Sequence, residues 1–534
     1  MNSDSAHRTI ASAAVVILLG TLASRVLGLV RELVMAWLFG ADHATDAFVV
    51  ASAMPTMVYD LLIGGAITAA LVPVFVDSAR PEHAARLWRV VSVVLNLTAL
   101  GMGLVVLVLI ALAPQAIALL GGGFPSEVQA EAVTMTRVLL VAVLLQGLAG
   151  VAMAVLYARG RFALPSFAVA VYNGGIVVGA LALYSWLGVY ALVAGVMLGA
   201  LGQLALQAPG LRGMVYFPGL DLSLPEVRTI VQLSAPIAAG MVVTVVGITI
   251  DRNLASGLAE GSVTVMGYAT RLIQLPLGLV ATTIGYAVLP TLSRHATEAL
   301  DGEGEGLVGY RRTLLLGIRL VLLLMLPATV GLMLLREPLV RALFERGAFE
   351  LEESRRTAAT FLAYAPQLPF TALDQLLLFA YYARKDTRTP VLVGVACVGV
   401  YLASALTLIG PWQVVGLAAA NAIQNSVHGI ILLLLLQRTV GGLVSVELAS
   451  YAARAVLATL GMGVVLWLGM DLWQQGRAPG GTLELVVGLA VLAAIGSAVY
   501  LALAYLLGLG EIRLLWSMVR ARIGGARGGP PDAR

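Results

Sequence analysis

Arg25, Arg31 and Glu32 fall inside a segment that runs from about Ile10 to Leu38 and is otherwise apolar. Charges are expensive there. On an insertion scale each central arginine or acid costs roughly 2.5–3.5 kcal/mol, and each Leu, Ile or Val returns only about 0.3–0.6. A helix on such terms is expected to turn its charges toward protein or trapped water rather than lipid. Guanidinium forks match the oxygens of a phosphate bidentately, so the chemistry in reach is anion binding in a polar cavity. On an ideal helix Arg25 and Arg31 lie about 120° apart, whereas Arg25 and Glu32 share a face. Gly28 between the arginines allows a bend. The alternative is a structural pair, Arg31 or Arg25 with Asp46 or Asp60.

Arg271, in Tyr-Ala-Thr-Arg-Leu-Ile-Gln-Leu-Pro, is a second arginine inside an apolar run. It offers another guanidinium to an anionic substrate, or else snorkels from a helix end. Asp251, beside Arg252, and Asp374, beside Gln375, are candidates for a Na⁺ or proton site. Asp251 reads equally as an interfacial residue. Asn173, Asn421, Gln424, Asn425 and His428 are expected to be interhelical hydrogen-bond partners. Arg454 reads as a snorkelling residue or a holder of a lipid headgroup.

Composition names the class of element that must position these residues. The chain has 534 residues, 60% of them hydrophobic and 12% charged, with a mean hydropathy of +0.94. A soluble protein would carry about a quarter charged residues. The fold expected is therefore an all-α polytopic membrane protein. Lys385 is the only lysine among 33 basic residues, so there is no Walker-type Gly-Lys-Ser/Thr loop. Cys397 is the only cysteine, so no disulfide forms within the chain. The five histidines lack metal-ligand spacing and no nucleophile motif is visible. The residues point away from an enzyme and from nucleic acid, and call for no cofactor or metal beyond Na⁺ or proton coupling.

At about 20 apolar residues per crossing, about fourteen transmembrane helices are expected. Their approximate cores are 10–38, 45–77, 90–114, 132–157, 165–185, 188–209, 229–251, 263–292, 313–335, 357–382, 389–409, 412–437, 449–472 and 482–508. Very short turns join the fifth to the sixth and the eleventh to the twelfth. Pro55, Gly64-Gly65, Pro73, Pro276 and Pro290 interrupt helices. Basic residues cluster in alternate loops, among them Arg80, Arg86, Arg89, Arg159, Arg161, Arg311, Arg312, Arg384 and Arg438, and in the tail after Gly510. That alternation puts both termini in the cytoplasm. The mixed-charge stretch 336–356 reads as an external amphipathic helix.

Tyr157-Ala158-Arg159 followed by Pro165 recurs as Tyr382-Ala383-Arg384 followed by Pro390, and Leu71-Val72-Pro73 has a counterpart in Val288-Leu289-Pro290. Both offsets are a little over 200 residues, or six spans. This is the pattern of two pseudo-symmetric six-helix lobes, 1–212 and 213–440. A C-terminal helix pair, 441–510, and a cytoplasmic basic tail, 511–534, follow.

Several of these motifs resemble the MurJ (MviN) lipid II flippases of the MOP exporter superfamily. The resemblance rests on Ser-Arg-Val-Leu-Gly from Ser24, Val30-Arg31-Glu32, Phe39-Gly40-Ala41 and Ala44-Thr45-Asp46-Ala47-Phe48. It continues through Gly65-Ala66, Val72-Pro73-Val74, Arg161-Phe162, Tyr268-Ala269 with Arg271-Leu272, Leu289-Pro290, Phe344 with Gly347 and Phe349, and Arg384 with Asp386 and Thr389-Pro390. It implies two lobes working by alternating access in a bacterial cytoplasmic membrane, with the extra helix pair grooved for a polyprenyl tail. The substrate implied is lipid II or a similar polyprenyl diphosphate lipid, with the cell-wall synthesis machinery as a partner. Arg25, Arg31, Asp46 and Arg271 become substrate-binding candidates, with Asp251 and more loosely Asp374 as cation-site candidates. The chain departs from the family at Pro55-Thr56, Tyr59-Asp60 and Gly64, where the family has Pro-Asn, an arginine pair and a glutamate. Rival expectations are an exporter of another polyprenyl-linked oligosaccharide, a multidrug/cation antiporter, and a non-transporting scaffold of the cell-wall machinery.

Overall fold

The computed structural model describes residues 3–60, 70–78, 84–300, 304–476 and 481–512. Gly64, Gly65, Arg80 and the basic tail beyond Ile512 lie outside the described residues. Within them the chain forms seventeen α-helices and no strand. In order they are α1 (Ser3–Phe39), α2 (His43–Tyr59), α3 (Val72–Ser78), α4 (Ala84–Ala111), α5 (Ala113–Leu120), α6 (Ser126–Ala158), α7 (Ala163–Leu187), α8 (Tyr190–Gln207) and α9 (Pro225–Ser256). They continue as α10 (Ser262–Leu300), α11 (Gly304–Leu334), α12 (Arg336–Phe344), α13 (Leu351–Tyr364), α14 (Leu368–Ala383), α15 (Arg388–Val440), α16 (Val446–Gly476) and α17 (Thr482–Leu506).

Nine of the described helices are long and apolar enough to cross a membrane. One of them, α15, runs for 53 residues and holds two of the expected cores, because Gln413 just after Pro411 takes φ 50° and breaks the helical path. The other expected cores fall on α1, α2 with α3, α9, and α13 with α14. The anticipated short joints are present. Only Gly188 and Val189 separate α7 from α8, and Gly188 has φ 53°. The stretch 336–356 differs from expectation. Gly347, at φ 61°, and the turn around it split it into α12 and the start of α13.

The helices group into two compact units, residues 1–267 with 344–353, and residues 268–343 with 354–534. In the first, α7 and α8 pack through glycine on glycine. A Cβ on Gly175 would strike the backbone of Gly199, and one on Gly179 the backbone of Gly195. Small residues four apart on both helices allow this approach in lipid, where packing must replace the hydrophobic drive between helices. Residues 344–353 join this unit at the end of α1, where the Ala348 N–H donates to the Trp37 carbonyl at 2.9 Å. The buried rings of Phe344 and Phe349 sit 5.9 Å apart behind it. In the second unit α11, α16 and α17 share a core around Leu323, Tyr451, Met462, Leu466 and Tyr500.

The sequence repeat has a structural counterpart within each unit. At the end of α6, Gly160 at φ 70° donates to the Tyr157 carbonyl and Arg161 to that of Leu156. At the end of α14, Lys385 at φ 61° donates to the Tyr382 carbonyl and Asp386 to that of Tyr381. Both are Schellman caps built on the same Tyr-Ala-Arg. Arg159 stacks on Trp88 of α4 at 5.0 Å, and Arg384 on Tyr310 of α11 at 6.0 Å. The cap that glycine supplies in one half is held by the only lysine in the other. Asp386 then anchors α15, accepting from the Arg388 and Thr389 N–H groups and the Thr389 hydroxyl.

Two expectations follow for the caps. A side chain in the left-handed region costs about 1–2 kcal/mol, and a Cβ at Gly160 meets nothing within 4 Å. Gly160→Ala should therefore destabilise by about 1 kcal/mol, and Lys385→Gly should stabilise by a similar amount, read by SDS titration in mixed micelles. Partial burial lifts the Asp386 carboxyl, but hydrogen bonds from Thr389 and Arg388 and the nearby Arg384 bring it below the usual carboxylate range. The contribution of a depressed acid is present above its unfolded pKa, near 4, and is lost as pH falls through the lower folded value. Wild type should lose its advantage over Asp386→Asn only on acidification below about pH 4.

Candidate functional site

Gly20 brings α1 hard against α7, since a Cβ there would overlap the Ser166 carbonyl. This close approach sets Asn173 of α7 beside the charged turn of α1. Asn173 donates to the Ser24 carbonyl at 3.3 Å and accepts from Arg31 Nη1 at 3.0 Å. Arg31 Nη2 pairs with Glu32 at 2.5 Å. Arg31 Nε is buried and makes no hydrogen bond. The structural partners weighed from sequence were Asp46 and Asp60. The partners that Arg31 has here are Glu32 and Asn173. The Nε donor of the guanidinium is thus left over, and a buried donor with its hydrogen bond unmade is costly. Arg25, six residues earlier on α1, is exposed.

Asp46 is 2% exposed and faces the start of α10. Its carboxylate accepts from the Thr264 N–H at 2.8 Å and the Thr264 hydroxyl at 2.6 Å. Thr264 is the third residue of α10, so Asp46 satisfies one of the donors that a helix start leaves unpaired and lays negative charge at the positive end of its dipole. The segment before it is built for this. Gly40, at φ 65°, turns the chain out of α1. Asp42 accepts from the Thr45 N–H at 2.8 Å while Thr45 Oγ1 accepts from the Asp42 N–H at 2.8 Å, a reciprocal capping box on α2. Gly261, at φ 77°, lets the backbone before α10 press on Ala41. The Ala-Thr-Asp-Ala-Phe motif is thus a joint that caps one helix in its own chain segment and another more than 200 residues on.

Asp251 is partly buried on α9, next to Arg252, whose Nη1 reaches the Val263 carbonyl at 3.3 Å. Arg271 is exposed on α10, in the second unit. Also in that unit Asp374 of α14 lies 2.7 Å from His428 Nδ1 of α15. Asn425, one turn before His428, donates to Gln367 and to Asn421. The expected polar links between helices are thus found at Asn173, Asn425 and His428, whereas the bond of Asn421 to Asn425 stays within α15. The sequence names Asn173 and His428 as hydrogen-bond partners without saying which charges they answer, and does not name Thr264. Asn173, Thr264 and His428 are the residues that answer them, and an amide or imidazole inside an apolar run was the available signal. In the same unit a cavity of about 490 Å³ lies among α11, α16 and the end of α17, lined by Arg319, Glu447, Ser450, Tyr451, Arg454 and Glu511. Arg454 is held there by the Ser450, Leu507 and Gly508 carbonyls.

A family model described as lipid II flippase MurJ matches residues 35–488. The chain is 29% identical over 503 residues to the probable lipid II flippase MurJ of Bdellovibrio bacteriovorus, covering 92% of this chain and 94% of that one. It is 31% identical over 385 residues to the lipid II flippase MurJ of Burkholderia cenocepacia, covering 70% and 73%. Among solved structures it is similar to a lipid II flippase MurJ in an inward closed conformation, with a TM-score of 0.75, 21% identity, and 92% and 98% of the two chains covered. A multidrug resistance MATE family transporter in an inward-facing conformation matches with a TM-score of 0.65 at 14% identity, over 78% of this chain and 95% of that one.

The Asp46 joint yields a stability test. Asp46→Ala strands the Thr264 N–H and hydroxyl and should cost about 2–3 kcal/mol. Asp46→Asn keeps an acceptor and should cost about half as much. SDS titration in mixed micelles measures both.

Proposed function

The chain belongs to the lipid II flippase MurJ family, and from that membership we propose how it carries lipid II across a bacterial cytoplasmic membrane. Both termini lie in the cytoplasm, as the basic loops require. The lipid headgroup enters from the inner leaflet and leaves at the outer one by alternating access. Arg25 and Arg31 on α1 are the diphosphate-binding candidates of the first unit, and Arg271 on α10 is a candidate of the second. The observation that carries this reading is the match to the family over residues 35–488. It is supported by a guanidinium on α1 that has a donor to spare although Glu32 and Asn173 already engage it.

The partners of Arg31 suit a ligand that must be let go. Glu32 neutralises the arginine when the site is empty, and phosphate oxygens displace part of that pairing when it is filled. Only a ligand that binds the two states of the cycle unequally can drive it between them. Exchange between Glu32 and phosphate supplies such a difference. The membrane potential, worth about 2.3 kcal/mol per charge per 100 mV, biases the return step. Asp251 and Asp374 are the candidates for coupling to Na⁺ or a proton. Cell-wall synthesis enzymes are the partners that would supply and consume the lipid.

A related substrate, another polyprenyl-linked oligosaccharide, is favoured by one observation. Tyr59-Asp60 stands where the family carries an arginine pair, and Asp60 is exposed at the end of α2. The shared chemistry is the diphosphate; the sugars differ.

Arg31→Ala and Arg271→Ala should each reduce growth rescue in a flippase-depleted strain at wild-type expression. Each should also slow movement of fluorescent lipid II in reconstituted vesicles by at least tenfold. Arg31→Lys should recover only part, since an ammonium cannot reproduce the fork. Full rescue by the Arg25 and Arg31 alanine variants together would remove the diphosphate site on α1. A chain that moves no lipid II but moves a different lipid-linked glycan would replace the substrate.

A further inference from the structure

Asp374 and His428 place two ionisable side chains against each other between apolar helices, a costly arrangement that ordinarily marks a site of function. The contact is built rather than incidental. Gly429, the residue after His428, brings the α15 backbone against α14, where an added Cβ would press on the Phe370 carbonyl and touch Asp374 Cβ. Gly394 leaves room on the other side, its Cβ position lying 3.8 Å from His428 Nε2. The ring therefore faces two acceptors. Nδ1 lies 2.7 Å from Asp374 Oδ1, and Nε2 lies 3.5 Å from the Pro390 carbonyl oxygen. A neutral imidazole has one N–H and must turn a lone pair toward one of these oxygens. An imidazolium donates to both.

The three groups sit on three segments. Asp374 is on α14, Pro390 opens the first half of α15, and His428 is on its second half, beyond the break at Gln413. Neither partner is sealed, with side-chain exposures of 16% for His428 and 19% for Asp374. Other groups that sense Asp374 are Tyr382 on the same helix and Cys397 on α15. Nearby α11 sends Arg311 to the Val440 carbonyl and Arg319 to Glu511 instead.

We propose that the Asp374–His428 pair is the proton-binding site that couples this transporter to a proton gradient. The inference deepens the flippase reading and rests on it for the word coupling, though not for proton binding. With the proton bound, His428 ties α14 to both halves of α15 through Asp374 and Pro390. When the proton leaves, one of those ties is lost, and the halves are freer to move about Gln413. A carboxylate whose near oxygen already faces an imidazole nitrogen offers Na⁺ a poor shell, because Na⁺ needs several oxygens and a proton needs one acceptor.

Two measurements separate the site from the substrate. In the first, the purified full chain carries ¹⁵N-labelled histidine. The signal absent from His428→Gln should titrate between pH 5 and 8, and Asp374→Asn should shift that titration downward by a pH unit or more. A His428 signal fixed in one state throughout that range would overturn the proposal whatever the cargo. In the second, vesicles hold fluorescent lipid II with Na⁺ absent and voltage clamped at zero. One proton per lipid makes the equilibrium lipid ratio change about tenfold per pH unit of gradient. Wild type should follow the gradient and His428→Gln should ignore it, with Asp374→Asn as the second variant should the first not elute as a folded monomer. A wild type that moves lipid II indifferently to the gradient, or a His428→Gln that still follows it, also overturns the proposal. A wild type that moves no lipid II at all sinks the substrate reading, and the histidine titration then judges the proton site alone.

Discussion

A guanidinium in hydrocarbon can shed neither its charge nor its donors, so protein must supply what water would. That constraint is met at Arg31 by Glu32, its neighbour in sequence, and by Asn173, which reaches it only because Gly20 lets α1 and α7 touch. The same demand explains Asp46 on Thr264, Asn425 on Gln367, and Tyr381 and Tyr500 on the carbonyls of Leu432 and Leu323. Where the lipid offers no partner, polar groups such as these become links between helices. Such links hold a bundle whose apolar surfaces have no strong preference for one another over lipid.

The helix ends obey the same rule. Four N–H groups open at each start and four carbonyls at each end, and in a membrane protein many lie near the headgroups or deeper. Asp42, Asp46 and Asp386 answer starts, while Gly160 and Lys385 shape ends. Several residues that look chemical in a motif therefore do mechanical work first. A carboxylate on a backbone N–H fixes where a helix begins, and so fixes which side chains further along it share a face.

Transport asks for the opposite property, interactions that are good in two arrangements. Arg31 with a donor to spare and His428 between two acceptors both have it. Likeness to a MATE family transporter at 14% identity speaks to the fold alone.

Hydropathy over some twenty residues is a local property, and every expected apolar core falls on helix wherever the chain is described. The repeat was visible in Tyr-Ala-Arg because a helix end and its cap are local too. The charges on α1 stood out because an arginine among leucines costs the same wherever the chain goes. What composition and spacing could not tell was who answers them. Asn173 lies 142 residues from Arg31, Thr264 lies 218 from Asp46, and His428 lies 54 from Asp374. A hydrogen bond between such residues depends on how closely two helices approach, which glycines such as Gly20 and Gly429 decide through contacts that exist only once the helices have packed. The sequence alone thus determined that the chain is built of apolar helices and where charge falls along them. The tertiary structure decided the pairings, because the reach of a hydrogen bond is about 3 Å and nothing local sets distances that fine across so many residues.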